Sequence, residues 1–291
     1  MKKKRKVALV TGASSGIGQA VAVAMAKDGY IVYGTSRHAA YESAGERDAT
    51  YTMLPMTVEN EESVAAAVEH IAERHARIDV LVNAAGSGIA GAIEETTAAE
   101  ARAQFDVCFF GVVSVLHHVL PLMRVAGGGT VINIGSMASS FPIPFQAIYS
   151  SAKAALLMLT ATLRLEVRPF GIRACVIEPG DTRTGFTQKR RFTQKTAQTR
   201  YRQPFERALY EMIRSELVSE GPERCAKLVL KAAKMKNPPV KLSVGLLYKL
   251  FYMAAKFAPR RLNEFVMRNI YLKKDPPHDA VWTFDKQFKE K

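Results

Sequence analysis

Short, unbroken apolar runs alternate along this chain with longer segments in which apolar residues return at helical spacing. The runs are residues 7–10, 31–33, 51–54, 80–82, 131–134 and 174–177, rich in β-branched side chains. Helical spacing fills residues 17–27, 61–76, 98–125 and 149–168, and Asp28 and Gly29 provide a stop for the first of these. Strands apolar on both faces and joined by helical crossovers predict a doubly wound α/β domain, a parallel sheet covered on both sides.

After Gly180 the pattern changes. Thr, Arg, Gln and Lys dominate to about Arg202, helical spacing returns in residues 205–218 and 222–235, and residues 242–274 mix Leu, Phe, Tyr and Met with Lys249, Lys256, Arg260 and Arg261. Lys249 and Lys256 fall on one face, which predicts a basic amphipathic helix. It reads as a peripheral contact with an anionic membrane, as a lid over a substrate cleft, or as a helix packed on the domain. No run reaches the ~18 uninterrupted apolar residues of a spanning helix. The chain thus divides into an α/β domain over residues 1–240, with a substrate loop near 182–220, and a basic extension over 241–291.

With 291 residues, 48% of them hydrophobic, the chain has enough material for a large core, which excludes disorder and fibre. The net charge of +14 is unevenly placed: 16 basic and 17 acidic side chains stand up to Asp181, against 25 and 10 after it. Such asymmetry suits an anionic partner or a solvated basic face. No nucleic-acid reading motif accompanies it, and a nucleic-acid partner is not expected. Cys108, Cys175 and Cys225 match neither a disulfide framework nor a zinc site, which predicts a reducing, cytoplasmic setting. The basic run from Lys2 to Lys6 spells a nuclear-import pattern, but a basic flank directly before a buried strand explains it as well. The histidines, His117 and His118 among them, show no metal-ligand spacing, and no metal is expected.

Directly after the first strand stands Thr11-Gly12-Ala13-Ser14-Ser15-Gly16-Ile17-Gly18, with a helix opening on it. Glycines let main chain approach a pyrophosphate, and the helix N-terminus offers free N–H groups and the positive end of its dipole. The spacing is similar to the T-G-x-x-x-G-x-G turn of the short-chain dehydrogenase/reductases. Four further stretches match that family in order: Asn83-Ala84-Ala85-Gly86, with Ala84 where the family has a second Asn; Ser136; Tyr149-Ser150-Ser151-Ala152-Lys153; and Pro179-Gly180 followed by Thr182 and Thr184. The resemblance covers roughly residues 6–185. It implies hydride transfer between a nicotinamide cofactor and a carbonyl or alcohol, with Ser136, Tyr149 and Lys153 as catalytic residues, and Pro179, Gly180 and Thr184 at the carboxamide. It also implies a homo-oligomer, dimer or tetramer. Four positions apart on a helix, Tyr149 and Lys153 share a face, and an ammonium beside a phenol favours the phenolate of a general acid/base.

Cys108 takes the place of the family's central-helix Asn, whose main-chain carbonyl links Lys to water. The carbonyl survives the exchange and the side-chain amide does not. Flanking Phe105, Phe109 and Phe110 predict apolar surroundings for this thiol. A cofactor-binding sensor with little turnover is therefore the alternative reading.

The second strand ends Thr35-Ser36-Arg37, with no acid before Glu42, which favours NADP(H), Arg37 and Ser14 taking the 2′-phosphate. Thr57 is expected against the adenine. The loop over residues 137–148 offers Phe141, Pro142, Pro144 and Phe145 as an apolar lining, so the expected substrate is a bulky hydrophobic ketone or alcohol. The loop resembles that of the 17β-hydroxysteroid and retinol dehydrogenase branch. The tail is similar to that of acyl-dihydroxyacetone-phosphate reductases, and the basic last third would suit a lipid phosphate. Steroid and acyl lipid both stay open at this point.

Overall fold

The computed structural model describes residues 5–40, 43–44, 51–186, 189–245 and 258–277. Its strands are β1 (Val7–Thr11), β2 (Ile31–Ser36), β3 (Ser43–Ala44), β4 (Thr52–Pro55), β5 (Val80–Asn83), β6 (Ile89–Ala90), β7 (Gly129–Ile134), β8 (Ile172–Glu178), β9 (Arg191–Phe192) and β10 (Lys241–Ser243). Eight form one sheet in the order β10-β8-β7-β5-β1-β2-β4-β3, parallel throughout except for β3; β6 and β9 pair separately. The helices are α1 (Gly16–Lys27), α2 (Glu61–His75), α3 (Ala98–Phe105), α4 (Gly111–Val125), α5 (Ala147–Glu166), α6 (Arg202–Val218), α7 (Glu223–Lys234) and α8 (Arg260–Tyr271).

The unbroken apolar runs are explained by two buried sheet faces. Leu9, Leu81 and Val131 point to one side, where they pack with Val64 and Ile71 of α2, Val115 of α4 and Leu156 of α5. Their neighbours Val10, Val82 and Ile132 point to the other, against Val21 and Met25 of α1 and Val229 of α7. The central strands β1, β5 and β7 are therefore in the core along their whole length, whichever way a residue faces. A buried chain of hydrogen bonds then locks α5 to the sheet: Asn83 Nδ2 donates to Asn133 Oδ1, and Asn133 Nδ2 to Thr160 Oγ1, both at 2.8 Å.

Two features depart from the pattern. The parallel strand β10 lies beside β8, so the sheet continues past residue 240 into the segment read as an extension. Three half-buried residues, one of them Lys241, give no apolar run to read. The long helical stretch 98–125 is broken by a π turn, Asp106–Phe110, between α3 and α4. By length and composition Ala98–Val125 could cross a membrane, although polar residues interrupt it; here its inner side packs on α2 and α5. Lys2, Glu42, Leu246, Leu247, Lys249, Phe251, Lys256 and Phe257 lie outside the described residues.

Candidate active site

Strand order reverses between β1 and β5, and the C-terminal strand ends part there to open a crevice. It leads into a cavity of about 1160 Å³. The glycine turn forms one wall. Gly12 adopts φ +67°, and a Cβ on it would lie 2.8 Å from Ala85 Cα; one on Gly18 would lie 2.2 Å from Gly12 O. Only bare main chain allows the turn, α1 and the end of β5 to meet this closely. Thr11 Oγ1 fixes their spacing by accepting from the Ala84 and Ala85 amides, both at 3.0 Å. No side chain caps the first N–H groups of α1. Gly12, Ser14, Ser15, Gly16, Ile17 and Gly18 all line the cavity, which makes a cradle shaped for a pyrophosphate. Arg37 and Ala84 stand on the same wall, Arg37 exposed at the mouth.

At the other end Ser136, Tyr149 and Lys153 converge, joined by Gly86, Pro179, Gly180, Thr182 and Thr184. Ser136 caps a short helical turn, its Oγ accepting from Ala138 N at 3.2 Å. Lys153 is buried; its Nζ donates to Ile134 O at 2.8 Å and sits 5.9 Å from the centre of the Tyr149 ring. Phe186 covers that ring at 5.8 Å. A single carbonyl oxygen could thus meet a hydroxyl donor and a phenol, with the ammonium fixed behind them.

Several expectations need correction. Asn83 is buried and donates to Asn133, which makes it a positioning residue outside the cavity wall. Thr57 is also off the wall: its amide donates to Ser63 Oγ at 3.0 Å, while Met56, Val58 and Glu59 line the cavity. Cys108 lies behind the wall, and its surroundings are polar. Gln104 Nε2 donates to its Sγ at 3.0 Å and to Ser87 O at 2.8 Å. The three phenylalanines pack edge to face in sequence with one another, Phe110 being 56% exposed. Phe141 and Phe145 pack on α8 and α6, so the 137–148 loop presents Met137-side neighbours Ile143 and Gln146 to the cavity instead.

Sequence reading missed the residues that complete the cavity. Phe186, Lys189, Arg190, Met212, Glu216 and Tyr271 come from the polar segment, α6 and α8, where no motif marks them. Lys189 Nζ donates to Ser15 Oγ at 3.0 Å and so bridges the segment to the glycine turn. Behind Ser136 the fully buried Glu178 faces Lys241 at 3.4 Å and accepts from Ser139. Elsewhere His117 and His118 meet Glu61, with ligand atoms within 4.8 Å of one another; a partly exposed His118–Glu61 ion pair at 3.6 Å accounts for the approach. The three cysteines are buried and unpaired, and burial pushes the Cys175 and Cys225 thiols up to about 12.

A nicotinamide-cofactor crevice ending in a Ser-Tyr-Lys cluster defines an oxidoreductase of the doubly wound class. The short chain dehydrogenase family model matches residues 6–195, and the chain belongs to the short-chain dehydrogenase/reductases. Among its relatives is the 3-ketodihydrosphingosine reductase of Bacteroides thetaiotaomicron, 38% identical over 268 residues that cover 91% of this chain and 98% of that one. Human 17-beta-hydroxysteroid dehydrogenase type 1 is 35% identical over 196 residues, 64% of this chain and 59% of that. A short-chain dehydrogenase from Streptomyces avermitilis superposes with a TM-score of 0.72 at 29% identity, covering 92% of this chain and 99% of its own. Other structures of this fold hold either NADP or NAD.

Proposed function

We propose that this protein is an NADP(H)-dependent ketoreductase of a bulky, lipid-like ketone, with Tyr149 as the proton donor. One observation carries the reading: the cradle for a dinucleotide and the Ser136, Tyr149 and Lys153 cluster are two ends of one cavity. Fitted to that cradle, a nicotinamide cofactor supplies hydride. Everything else falls to the chain. Ser136 Oγ and the Tyr149 hydroxyl hydrogen-bond the substrate oxygen, and Tyr149 delivers its proton there as negative charge develops. Lys153 spends one N–H on Ile134 O, which aims the others at the ribose hydroxyls and the phenol. Phe186 keeps water from the phenol. Arg37 and Ser14 at the mouth support NADP(H), since a guanidinium there meets a 2′-phosphate and repels nothing on the adenosine.

Ile143, Phe186, Met212 and Tyr271 give the substrate end its apolar character, which supports a long-chain or ring ketone. The extent of the match to the Bacteroides enzyme favours an acyl lipid and makes 3-ketodihydrosphingosine the first substrate to try. Exposed Phe110, Val113, Met158 and Leu165 on the outer helices support association of copies of the chain. The test is NADPH oxidation over 3-ketodihydrosphingosine, steroid ketones and retinal. Tyr149→Phe should lower kcat by roughly 10²- to 10⁴-fold with NADPH binding unchanged. Tight NADPH binding without turnover of any ketone would support the sensor reading instead.

A further inference from the structure

Arg190 and Glu216 stand on the cavity wall at its substrate end, 9% and 8% exposed, and the Ser-Tyr-Lys chemistry uses neither. Arg190 Nε and Nη1 are buried and have no hydrogen-bond partner among the described residues. A guanidinium withheld from water with N–H groups unmatched is costly, so the arrangement is explained if a ligand supplies the acceptor. Its carbon lies 5.8 Å from the centre of the Phe186 ring, which in turn lies 5.8 Å from that of Tyr149. The unmatched donors therefore stand one aromatic ring beyond the Tyr149 ring, and the acceptor they await belongs on the same ligand as the ketone.

The charges around Arg190 say what kind of acceptor. Burial pushes the guanidinium below its ordinary range, and Glu216 leads the groups that oppose this, with Tyr149, Asp181 and Tyr271. Glu216 Oε1 accepts from Thr184 Oγ1 at a long 3.4 Å. With two acids beside it, Arg190 is compensated in charge and short only of acceptors. A phosphate or carboxylate in this place would face Glu216 and Asp181 with like charge. A head group with one neutral acceptor and one cationic donor meets both members of the pair.

Resting on the ketoreductase reading, we propose that Arg190 and Glu216 form a head-group subsite for an amino-alcohol ketone, Arg190 holding a hydroxyl oxygen and Glu216 an ammonium of the same head. Phe186, between the pair and Tyr149, sets the distance from head to ketone. The apolar wall takes the chain. The basic last third of the sequence, which suggested a lipid phosphate, contributes to this subsite a cation already faced by acids.

The experiment uses the full chain and medium-length ketones with amine and hydroxyl, without the hydroxyl, and with the amine acetylated, together with ketones whose head is a carboxylate or a phosphate. kcat/KM with NADPH is read for each, and calorimetry gives the Kd of the corresponding alcohols. For the unaltered protein the complete head should be preferred by roughly 10- to 100-fold in both readouts. Arg190→Gln should abolish the preference for the hydroxyl and keep that for the amine; Glu216→Gln should do the reverse. The unaltered protein alone decides the matter if a variant does not fold: equal binding of the first three heads overturns the subsite. Preference for a ketone with a carboxylate or phosphate head, lost in Arg190→Gln, overturns it too. Discrimination among the bound alcohols without turnover of any ketone upholds the subsite and refutes the reductase.

Discussion

The two ends of the cavity are built in opposite ways. At the cofactor end main chain does the work: the glycine turn, the open N-terminus of α1 and the end of β5 meet at distances that exclude any Cβ. At the substrate end side chains do it. The segment after Pro179 is held by Glu100 accepting from Gln194 N at 2.8 Å, by Glu95 accepting from Arg200 N at 3.1 Å, and by the Arg207–Asp275 pair that ties α6 to the residues after α8. A wall of main chain tolerates little change, because almost any substitution fills space the ligand needs. A wall of side chains can be altered one contact at a time, each altering which substrate fits.

Gly18→Ala is the harshest test of this contrast. Its new Cβ collides with Gly12 O, so NADPH affinity should fall by roughly a hundredfold or more, at about 1–3 kcal/mol of stability. An unchanged Kd for NADPH by fluorescence titration would mean that the turn has slack and the contrast is false. Arg37→Ala reaches the same end through a side chain and should be milder. Losing one charge-assisted contact should raise the NADPH KM by roughly 10- to 100-fold and leave NADH untouched. Equal use of NADH and NADPH before mutation would remove the role given to Arg37.

The strands, their crossovers and the catalytic cluster were legible because each leaves a local mark. A strand buried on both faces must be apolar throughout, and the glycine turn and the Tyr149–Lys153 pair act at short range in sequence. Arg190, Glu216 and Tyr271 are brought together by packing of α6 and α8, and no spacing records that. Phe141 and Phe145 show the opposite failure. Their size suggested a substrate lining, yet the apolar faces of α6 and α8 claimed them first. Asn83 was placed correctly on a strand end, but its side-chain amide is turned to Asn133; Thr57 lies past the end of β4, its main-chain amide donating to Ser63.

Two smaller effects sharpen the contrast at its margins. α8 has Met267 inward, near Phe141, and Tyr271 on the cavity wall, while Leu262, Phe265 and Ile270 are 49%, 63% and 44% exposed beside Arg260, Arg261 and Arg268. The inner side contributes Tyr271 to the cavity wall, and the outer side is proposed to dock on anionic membranes at about 1 kcal/mol per arginine, weakening with salt. Phe265→Glu should then reduce co-sedimentation with anionic vesicles at low salt several-fold and leave NADPH binding alone. No sedimentation of the unaltered protein at low salt refutes docking. Cys108→Asn should do least. Its amide can accept from Gln104 Nε2 and donate to Ser87 O, so stability read from denaturant unfolding should change by no more than about 0.5 kcal/mol. A large drop would show that Gln104 cannot make room, and a rise in kcat would show that the thiol had slowed proton resupply to Tyr149.

The chain leaves the sheet at Glu178 and re-enters it at Lys241 on the adjacent strand, β10 running parallel to β8. Everything that selects the substrate between those points, α6 included, hangs from two neighbouring anchor points on one rigid platform. Such an arrangement behaves as an exchangeable cassette. Insertions, deletions or replacement in the stretch up to the end of α6 leave the platform intact, because α7 stays packed on the sheet and the separation of the two ends is kept. Diversification of the substrate wall can then proceed while Thr182, Thr184 and Lys189 keep their places beside the cradle, and grafting residues 191–218 from a relative onto this platform is the engineering route it opens.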